Sequence, residues 1–561
     1  QDVTEFWTPE TVKFFPAWLV EIDADTLIGH NIVGFDLPVM KKLLGFDWWG
    51  DIEDTLIMSR LDNPSREKGQ SLASWGIRFN YPKGEFSDWT HYSQEMKEYC
   101  IRDVEILDKL YRLMSSKNMS ETALSLEHEI AEITHQQTLN GWKFDIRKAS
   151  SLLALLKQEM FIAEDEVRKV FTPLSVWMPL KQLKQTHKKD GGKTINYINQ
   201  LAKGAYWRVD EGLKEEDEWG YYAYPEFNLG SRQQIARYLQ HFGWKPKQFT
   251  ELGTIIVSEA VLNTIKIPEG KLIAKYLMLQ KRLGLVSSWI DAVDKDDRIR
   301  GKVNTCGAVT GRMTHSSPNL AQVPASHSPY GEDCRELFTV EEGYKLVGMD
   351  ASGLELRMLA HYMNDDDYTN EVINGDIHTA NQKAANLDSR DKAKTFIYAF
   401  LYGAGSHKLG QITPSRENKD EDIYARGRRL QRDFLTNLPS LKTLRDKVIS
   451  AAESGYLTGL DGRILHIRST HAALNTLLQS AGAIVMKRAV ILLTESCKEW
   501  KINYRLLGQI HDEIQVEVQE NQAEPFGDLA VHCIKQAGED FKLNCPLDGN
   551  YKIGTTWRET H

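Results

Sequence analysis

Two short apolar segments, far apart in the chain, each run out onto an aspartate, and this limits the possible folds more than any other feature. In Lys345-Leu346-Val347-Gly348-Met349-Asp350-Ala351-Ser352-Gly353-Leu354-Glu355-Leu356-Arg357, an apolar run predicts a strand that delivers Asp350 at its end. Leu354, Met358 and Leu359 then begin an amphipathic helix. In Gln509-Ile510-His511-Asp512-Glu513-Ile514-Gln515-Val516-Glu517-Val518, Ile510, Ile514, Val516 and Val518 alternate with polar residues, the period of a half-buried strand. The His-Asp-Glu interruption predicts a tight hairpin tip that presents carboxylates. Neither segment is specific alone, because a strand-end aspartate is more often a helix cap and a charged turn is commonplace.

As a pair the aspartates suit phosphoryl transfer. Joining a 3′-hydroxyl to an α-phosphate calls for one cation to lower the hydroxyl pKa and another to carry charge on the leaving pyrophosphate, the two about 3.5–4 Å apart. Carboxylates on adjacent strands can bridge both ions, and Mg²⁺ fits them because it takes oxygen ligands and keeps waters. A third segment, Arg390-Asp391-Lys392-Ala393-Lys394-Thr395-Phe396-Ile397-Tyr398-Ala399-Phe400-Leu401-Tyr402-Gly403, supplies the complement. Arg390, Lys394, Tyr398 and Tyr402 recur at steps of four and share one helix face, which Gly403 and Gly405 end. Two cations near the helix N-terminus can bind a triphosphate, and two rings beyond them can stack on a base. Phe396, Phe400 and Leu401 form a separate apolar flank, so the cation-and-ring face is not needed for packing.

Composition adds little. A chain of 561 residues is too long for one core, and its net charge of −9 gives no hint of a nucleic acid partner, which local basic patches would have to hold. Six cysteines without a close pair read as reduced and intracellular. The longest apolar stretch, Ala481 to Leu493, is interrupted by Lys487 and Arg488, so no membrane span is expected. The chain begins with Gln1, which suggests that a preceding segment is missing.

Residues 1–117 alternate short strands and helices, as in Thr26-Leu27-Ile28-Gly29 and Met96 to Leu113, and suggest an α/β unit. Helical spacing follows from Asn118 to Lys157. The stretch 171–226 breaks it with Lys181, Lys184, Lys188, Lys189, Lys193 and Lys203 among Trp177, Tyr197, Tyr206 and Trp207, and then an acidic run from Asp210 to Glu218. It reads either as a solvated insertion or as a basic, aromatic element that holds DNA or a partner. Helical periodicity resumes through Leu272, Tyr276, Leu279 and Leu283.

The three C-terminal segments resemble motifs A, B and C of family A (DNA polymerase I-like) DNA polymerases, motif B reading R-x-x-x-K-x-x-x-Y-x-x-x-Y-G and motif C reading H-D-E. Gly307-Ala308-Val309-Thr310-Gly311-Arg312, Pro318 to Pro324 and His471 to Ser480 extend the likeness, which is nearest to replicative polymerases of short-tailed phages. The resemblance implies a multidomain α/β and α+β chain. Its parts would be an exonuclease-like domain (1–117), a thumb (118–300, with the insertion at about 171–226), palm (301–375), fingers (376–455), and palm with the C-terminus (456–561). It implies Asp350 and Asp512 as ligands of two Mg²⁺ ions, helped by the Ala351 carbonyl. Arg390, Lys394 and His378 would hold the incoming dNTP, Tyr398 would pack on its sugar, and Glu355 would block a ribose 2′-hydroxyl. Tyr402, Arg312, Gln479 and His511 would contact primer or template.

Residues 30–36 and 99–103 resemble the second and third motifs of DnaQ-type, ribonuclease H-like 3′–5′ exonucleases, with Asp36 and Asp103 as metal ligands and Tyr99 orienting water. The family's first motif, D-x-E on an upstream strand, has no match before His30, and Asp51-Ile52-Glu53 lies after Asp36. A 3′–5′ proofreading exonuclease is therefore expected in the full-length protein, with its activity impaired in this chain. The implied partners are primer-template DNA, a processivity factor (host thioredoxin or another clamp) at 171–226 and a phage primase-helicase, in the bacterial host cytoplasm. The rival readings are a single-subunit RNA polymerase, disfavoured by Glu355, and an exonuclease whose C-terminal region only grips DNA.

Overall fold

The computed structural model describes residues 5, 7, 8, 10–181, 183, 185–208, 218–250, 252–412 and 422–561. They form two compact units, one of Gln1–Ile146 with Ala292–His561 and one of Arg147–Asp291. The acidic run after Asp210 lies almost wholly outside the described residues.

At the start of the first unit, β1 (Thr26–Gly29) and β2 (Asp51–Asp54) pair in parallel. Helix α1 (Gln94–Ser115), capped by Ser93, packs Ile106, Leu110 and Met114 against Met58 and Trp75. Helix α2 (Glu121–Asn140) follows. The helical run expected to Lys157 is not continuous: Gly141, at φ 61°, ends α2 and a short strand, Trp142–Phe144, intervenes. Trp142 and Phe144 are buried at alternate positions, and that two-residue period overrides helix propensity there.

The second unit holds two long helices, Ile146–Val170 and Pro268–Asp291. Between them β3 (Val176–Pro179), α3 (Ile195–Ala202), β4 (Tyr206–Arg208) and β5 (Glu218–Ala223) build a three-stranded antiparallel sheet in the order β3-β5-β4.

The rest of the first unit carries the three diagnostic segments. They fold as β6 (Tyr344–Ala351), α4 (Leu354–Met363), α5 (Arg390–Leu401), α6 (Ala473–Glu499), β7 (Tyr504–Ile510), β8 (Glu513–Gln519) and β9 (Gly549–Gly554). The four strands form one antiparallel sheet in the order β7-β8-β6-β9. Its apolar side chains share a core with α4, α5 and α6. Among the described residues, Thr470–Glu499 is the one stretch long and apolar enough to cross a membrane, and most of it is buried in this core.

Lys487, which interrupts the apolar run in the sequence, is buried there with a purpose. Its ammonium hydrogen-bonds Glu127 of α2 and donates to the Gly311 carbonyl at 2.8 Å, while Arg463 reaches the same Glu127 carboxylate at 2.7 Å. Burial would push the Glu127 carboxyl up, but Lys487 and Arg463 outweigh it and hold it down at about 2. Removing one partner of such a buried cluster strands the other charge. We expect Lys487→Ala to lower the unfolding free energy by about 3–5 kcal/mol in urea titrations near neutral pH. Because the folded-state pKa is depressed, the Glu127 contribution is complete above pH 4.5 and lost as pH falls toward 2, so the deficit should narrow only in acid.

Candidate active site

The two aspartates are brought together by strand register. β6 and β8 pair from Tyr344 opposite Gln519 to Asp350 opposite Glu513, and the Ala351 amide donates to the Asp512 carbonyl at 3.4 Å. His511 occupies the hairpin tip at φ 62°, the left-handed conformation that a two-residue turn of this kind uses at its first position. Asp350 and Asp512 therefore line one cleft of about 600 Å³, together with Arg335, Glu513, Trp557 and His561.

Charge in this cleft is unbalanced. Partial burial, then Asp512, then Glu513 push the Asp350 carboxyl up to about 7. Among the described residues, neither Asp350 nor Asp512 forms a salt bridge. Glu513 differs, because its burial is outweighed by His561 at 2.7 Å, Trp557 Nε1 at 2.5 Å and Arg335. Glu513 is thus already satisfied by protein groups, which sets it apart from Asp350 and Asp512. No three His, Cys, Asp or Glu side chains converge as a metal cage among the described residues. Two carboxylates and the Ala351 carbonyl suit a hard divalent ion that completes its shell with water and substrate oxygens, as Mg²⁺ does.

The half-buried strand expected at 510–518 is a correction. β8 is buried on both faces, and its polar residues are buried because each is paired. Glu517 takes Arg298 at 2.9 Å, and Gln515 accepts from Thr560 at 2.9 Å. Alternation in the sequence reports residue polarity, which matches exposure only when no partner strand or tail covers the polar face. Glu513, Arg335, Trp557 and His561 were missed as cleft residues for that reason. Glu513 alone had a signal, its place beside Asp512.

The expected cation-and-ring helix forms as α5, with Ser389 capping it through the Lys392 amide at 3.3 Å. Phe396, Phe400 and Leu401 are buried, while Arg390, Lys394 and Tyr402 are exposed. His378 lies beside this face, its ring centroid 6.3 Å from that of Tyr398, and burial, Arg390 and Lys394 all disfavour its protonation. Arg390 pairs with Asp376 at 2.7 Å. The Tyr402 hydroxyl donates to both Glu355 oxygens at 2.9 and 3.0 Å, and Arg312 approaches the same carboxylate at 3.6 Å. Tyr398, 6.4 Å from Tyr402 between centroids, is close enough to Asp512 for burial, Glu355 and Asp512 together to raise its phenol pKa. Gln479 stands half-buried on α6, and His511 is exposed at the hairpin tip.

The residues of the expected exonuclease site are less well joined. Tyr99 and Asp103 lie one turn apart on α1 and share Lys83, which pairs with Asp103 at 2.7 Å and sits 4.6 Å from the Tyr99 ring centroid. The Asp36 carboxyl is pushed above its ordinary range by desolvation among its neighbours and by the charge of Asp54, although the residue as a whole remains solvent-accessible. Asp54 itself is 2% exposed and accepts the Asn31, Val33 and Leu56 amides, a turn-forming role.

Comparison with known proteins identifies the family and the fold. Residues 200–559 match the family model for DNA polymerase family A. A DNA-directed DNA polymerase of Enterobacteria phage T3 is 32% identical, over 98% of this chain and 95% of its own length. That of Escherichia phage T7 is also 32% identical, over 100% and 97%. The thermostable DNA polymerase I of Thermus aquaticus is 28% identical over 59% of this chain and 42% of its own. A solved structure of the POL domain of Pol1 from M. smegmatis, in complex with DNA primer-template and dNTP, shares the fold at TM-score 0.75 and 18% identity, covering 100% of this chain and 91% of that one. The chain belongs to DNA polymerase family A, a metal-dependent family, and has its fold.

The charge imbalance has a measurable consequence. A carboxyl whose folded pKa is raised loses stability as pH rises from its ordinary 3.8 through about 7. Without divalent metal, Asp350→Asn should melt above the wild type at pH 8, and the gap should close as pH falls toward 4. Mg²⁺ should raise the wild-type melting temperature more than that of the variant. Equal Mg²⁺ shifts in calorimetry would mean that Asp350 takes no part in holding the ion.

Proposed function

We propose that this chain, a DNA-directed DNA polymerase of family A, extends a primer 3′ end with dNTPs at the cleft that Asp350 and Asp512 share. The observation that carries the reading is the β6–β8 register, which sets two unneutralised carboxylates at one edge, within electrostatic reach of Tyr398 on α5. Asp350, Asp512 and the Ala351 carbonyl would hold two Mg²⁺ ions. Once bound, these ions lower the pKa of the attacking 3′-hydroxyl and stabilise the leaving pyrophosphate.

The protein's own groups bind and orient. Arg390, Lys394 and His378 take the triphosphate, and Asp376 keeps Arg390 extended beside α5 until phosphate oxygens compete for it. Tyr398 offers its ring to the deoxyribose. Glu355, fixed by Tyr402 and Arg312, occupies the space that a 2′-hydroxyl would need, which favours deoxynucleotides over the ribonucleotides of a single-subunit RNA polymerase. Tyr402, Arg312, Gln479 and His511 meet primer and template near the insertion point. In domain terms 301–375 and 456–561 act as palm, 376–455 as fingers and 118–300 as thumb, the insertion at about 171–226 belonging to the last.

Residues 1–117 act as an exonuclease-like domain with a weakened site. Lys83 pairs with Asp103 where a metal would be needed. Hydrolysis of a 3′ end should be slow, and rapid degradation abolished by Asp36→Ala would contradict this. The expected primase-helicase partner rests on the phage relatives alone, as does a processivity protein at 171–226.

Primer extension tests the main reading. The chain should elongate a primer with dNTPs and Mg²⁺ and do so poorly with NTPs. Asp350→Ala and Asp512→Ala should each cut the rate by about a thousandfold or more, the effect of losing several kcal/mol of charge stabilisation in the transition state. Undiminished elongation by either variant would remove the basis of the assignment.

A further inference from the structure

We propose that Lys487 is a positioning residue: by holding the carbonyl of Gly311 it fixes the turn that carries Arg312, and so sets Arg312 against the primer. The Gly311 amide donates to the Ala308 carbonyl at 2.9 Å, and the Gly307 and Ala308 amides both donate to the Arg312 carbonyl at 3.2 Å. Gly311 takes φ 72°, the left-handed conformation that favours glycine. These bonds close the turn on itself and leave the Gly311 carbonyl to be held from outside. The Lys487 ammonium, from α6, donates to that carbonyl at 2.8 Å across 176 positions of sequence.

Peptide planarity makes that contact consequential. The Gly311 carbonyl lies in the same plane as the Arg312 amide, so fixing its direction fixes the direction in which the chain enters Arg312. Glycine is the residue whose backbone turns most freely, so this plane is the soft point of the turn. Arg463 closes the other side: a Cβ on Gly311 would come within 2.6 Å of its guanidinium. The turn therefore sits on both cations of the buried cluster, whose Glu127 belongs to α2. The same helix braces β7, since Gln137 accepts from Gln509 at 3.0 Å and Asn140 donates to the Leu506 carbonyl at 3.0 Å.

Lys487 also lies beside the residues it serves. Arg312 and His511 line one recess with Lys487 and Gln509, and the Arg312 guanidinium comes within 3.6 Å of Glu355. Pairing with Glu127 alone does not call for the carbonyl contact, because the ammonium and the carboxylate meet without it. The ammonium has three donors, and one of them is used on the turn. The inference rests on the proposed function in one respect, that Arg312 meets the primer.

Single-nucleotide addition by rapid quench tests it, with rates taken per active molecule from the burst amplitude so that loss of folded protein does not count. Lys487→Met, which keeps an unbranched buried stem, should slow addition about ten- to a hundredfold, the scale for a misplaced reacting group. That change leaves Glu127 with one cation fewer. Glu127→Gln combined with Lys487→Met removes the buried charge on both sides, and should show the same slowing with a higher melting temperature than Lys487→Met alone. Both are assayed below their melting transitions. Arg312→Ala should be slow as well, and adding Lys487→Met to it should cost at most about a further twofold, because Lys487 acts through Arg312. Losses that multiply when Arg312→Ala and Lys487→Met are combined would overturn the inference and leave the role of Arg312 standing. So would the wild-type rate in the variant that carries both Glu127→Gln and Lys487→Met. Arg312→Ala at the wild-type rate would overturn the inference and the role of Arg312 together.

Discussion

The pairing of Asp350 with Glu513 across β6 and β8 is the constraint on which the site depends. Side chains alternate across a strand, so a slip of one residue would turn Asp350 to the opposite face of the sheet and separate it from Asp512. The hairpin tip fixes the other half of the arrangement: His511 accepts a left-handed backbone so that Asp512 follows it into the cleft. Chemistry that needs two carboxylates from distant parts of a chain is thus reduced to one register between two strands.

That register is held by buried polar contacts as well as apolar packing. Glu517 joins Arg298, Gln515 joins Thr560, and Glu513 joins Trp557, each on the strand that carries Asp512. A shift of the strand would strand several buried charges at once, a larger penalty than misplacing aliphatic side chains. The Glu127–Lys487–Arg463 cluster acts likewise one layer away: α6 reaches the Gly311 carbonyl through Lys487, next to the Arg312 that approaches Glu355. The electrostatics of the cleft follow from this contrast: Glu513 and Glu517 have protein partners, whereas Asp350 and Asp512 form no salt bridge among the described residues.

Much of this was legible in the sequence because it is local. A strand ending at Asp350, a hairpin tip at Asp512 and a helix with cations and rings at steps of four are all written in short-range periodicity, and each forms where expected. Long-range pairing was not legible. The full burial of β8, the Lys83–Asp103 pair and the grouping of 121–146 with the C-terminal half depend on residues tens to hundreds of positions away. The insertion shows both sides of this. Its lysines and aromatics stood out in the sequence, yet only the β3-β5 and β4-β5 registers and the Trp219–Gln200 bond reveal which rings turn toward α3.

The most direct test of the central claim is magnetic. With Mn²⁺ in place of Mg²⁺, primer-template DNA and a non-hydrolysable dNTP analogue, electron paramagnetic resonance should show two spin-coupled ions per chain, lost in both Asp350→Asn and Asp512→Asn. Uncoupled Mn²⁺, or a coupled pair that survives either substitution, would mean that these aspartates do not share a metal centre.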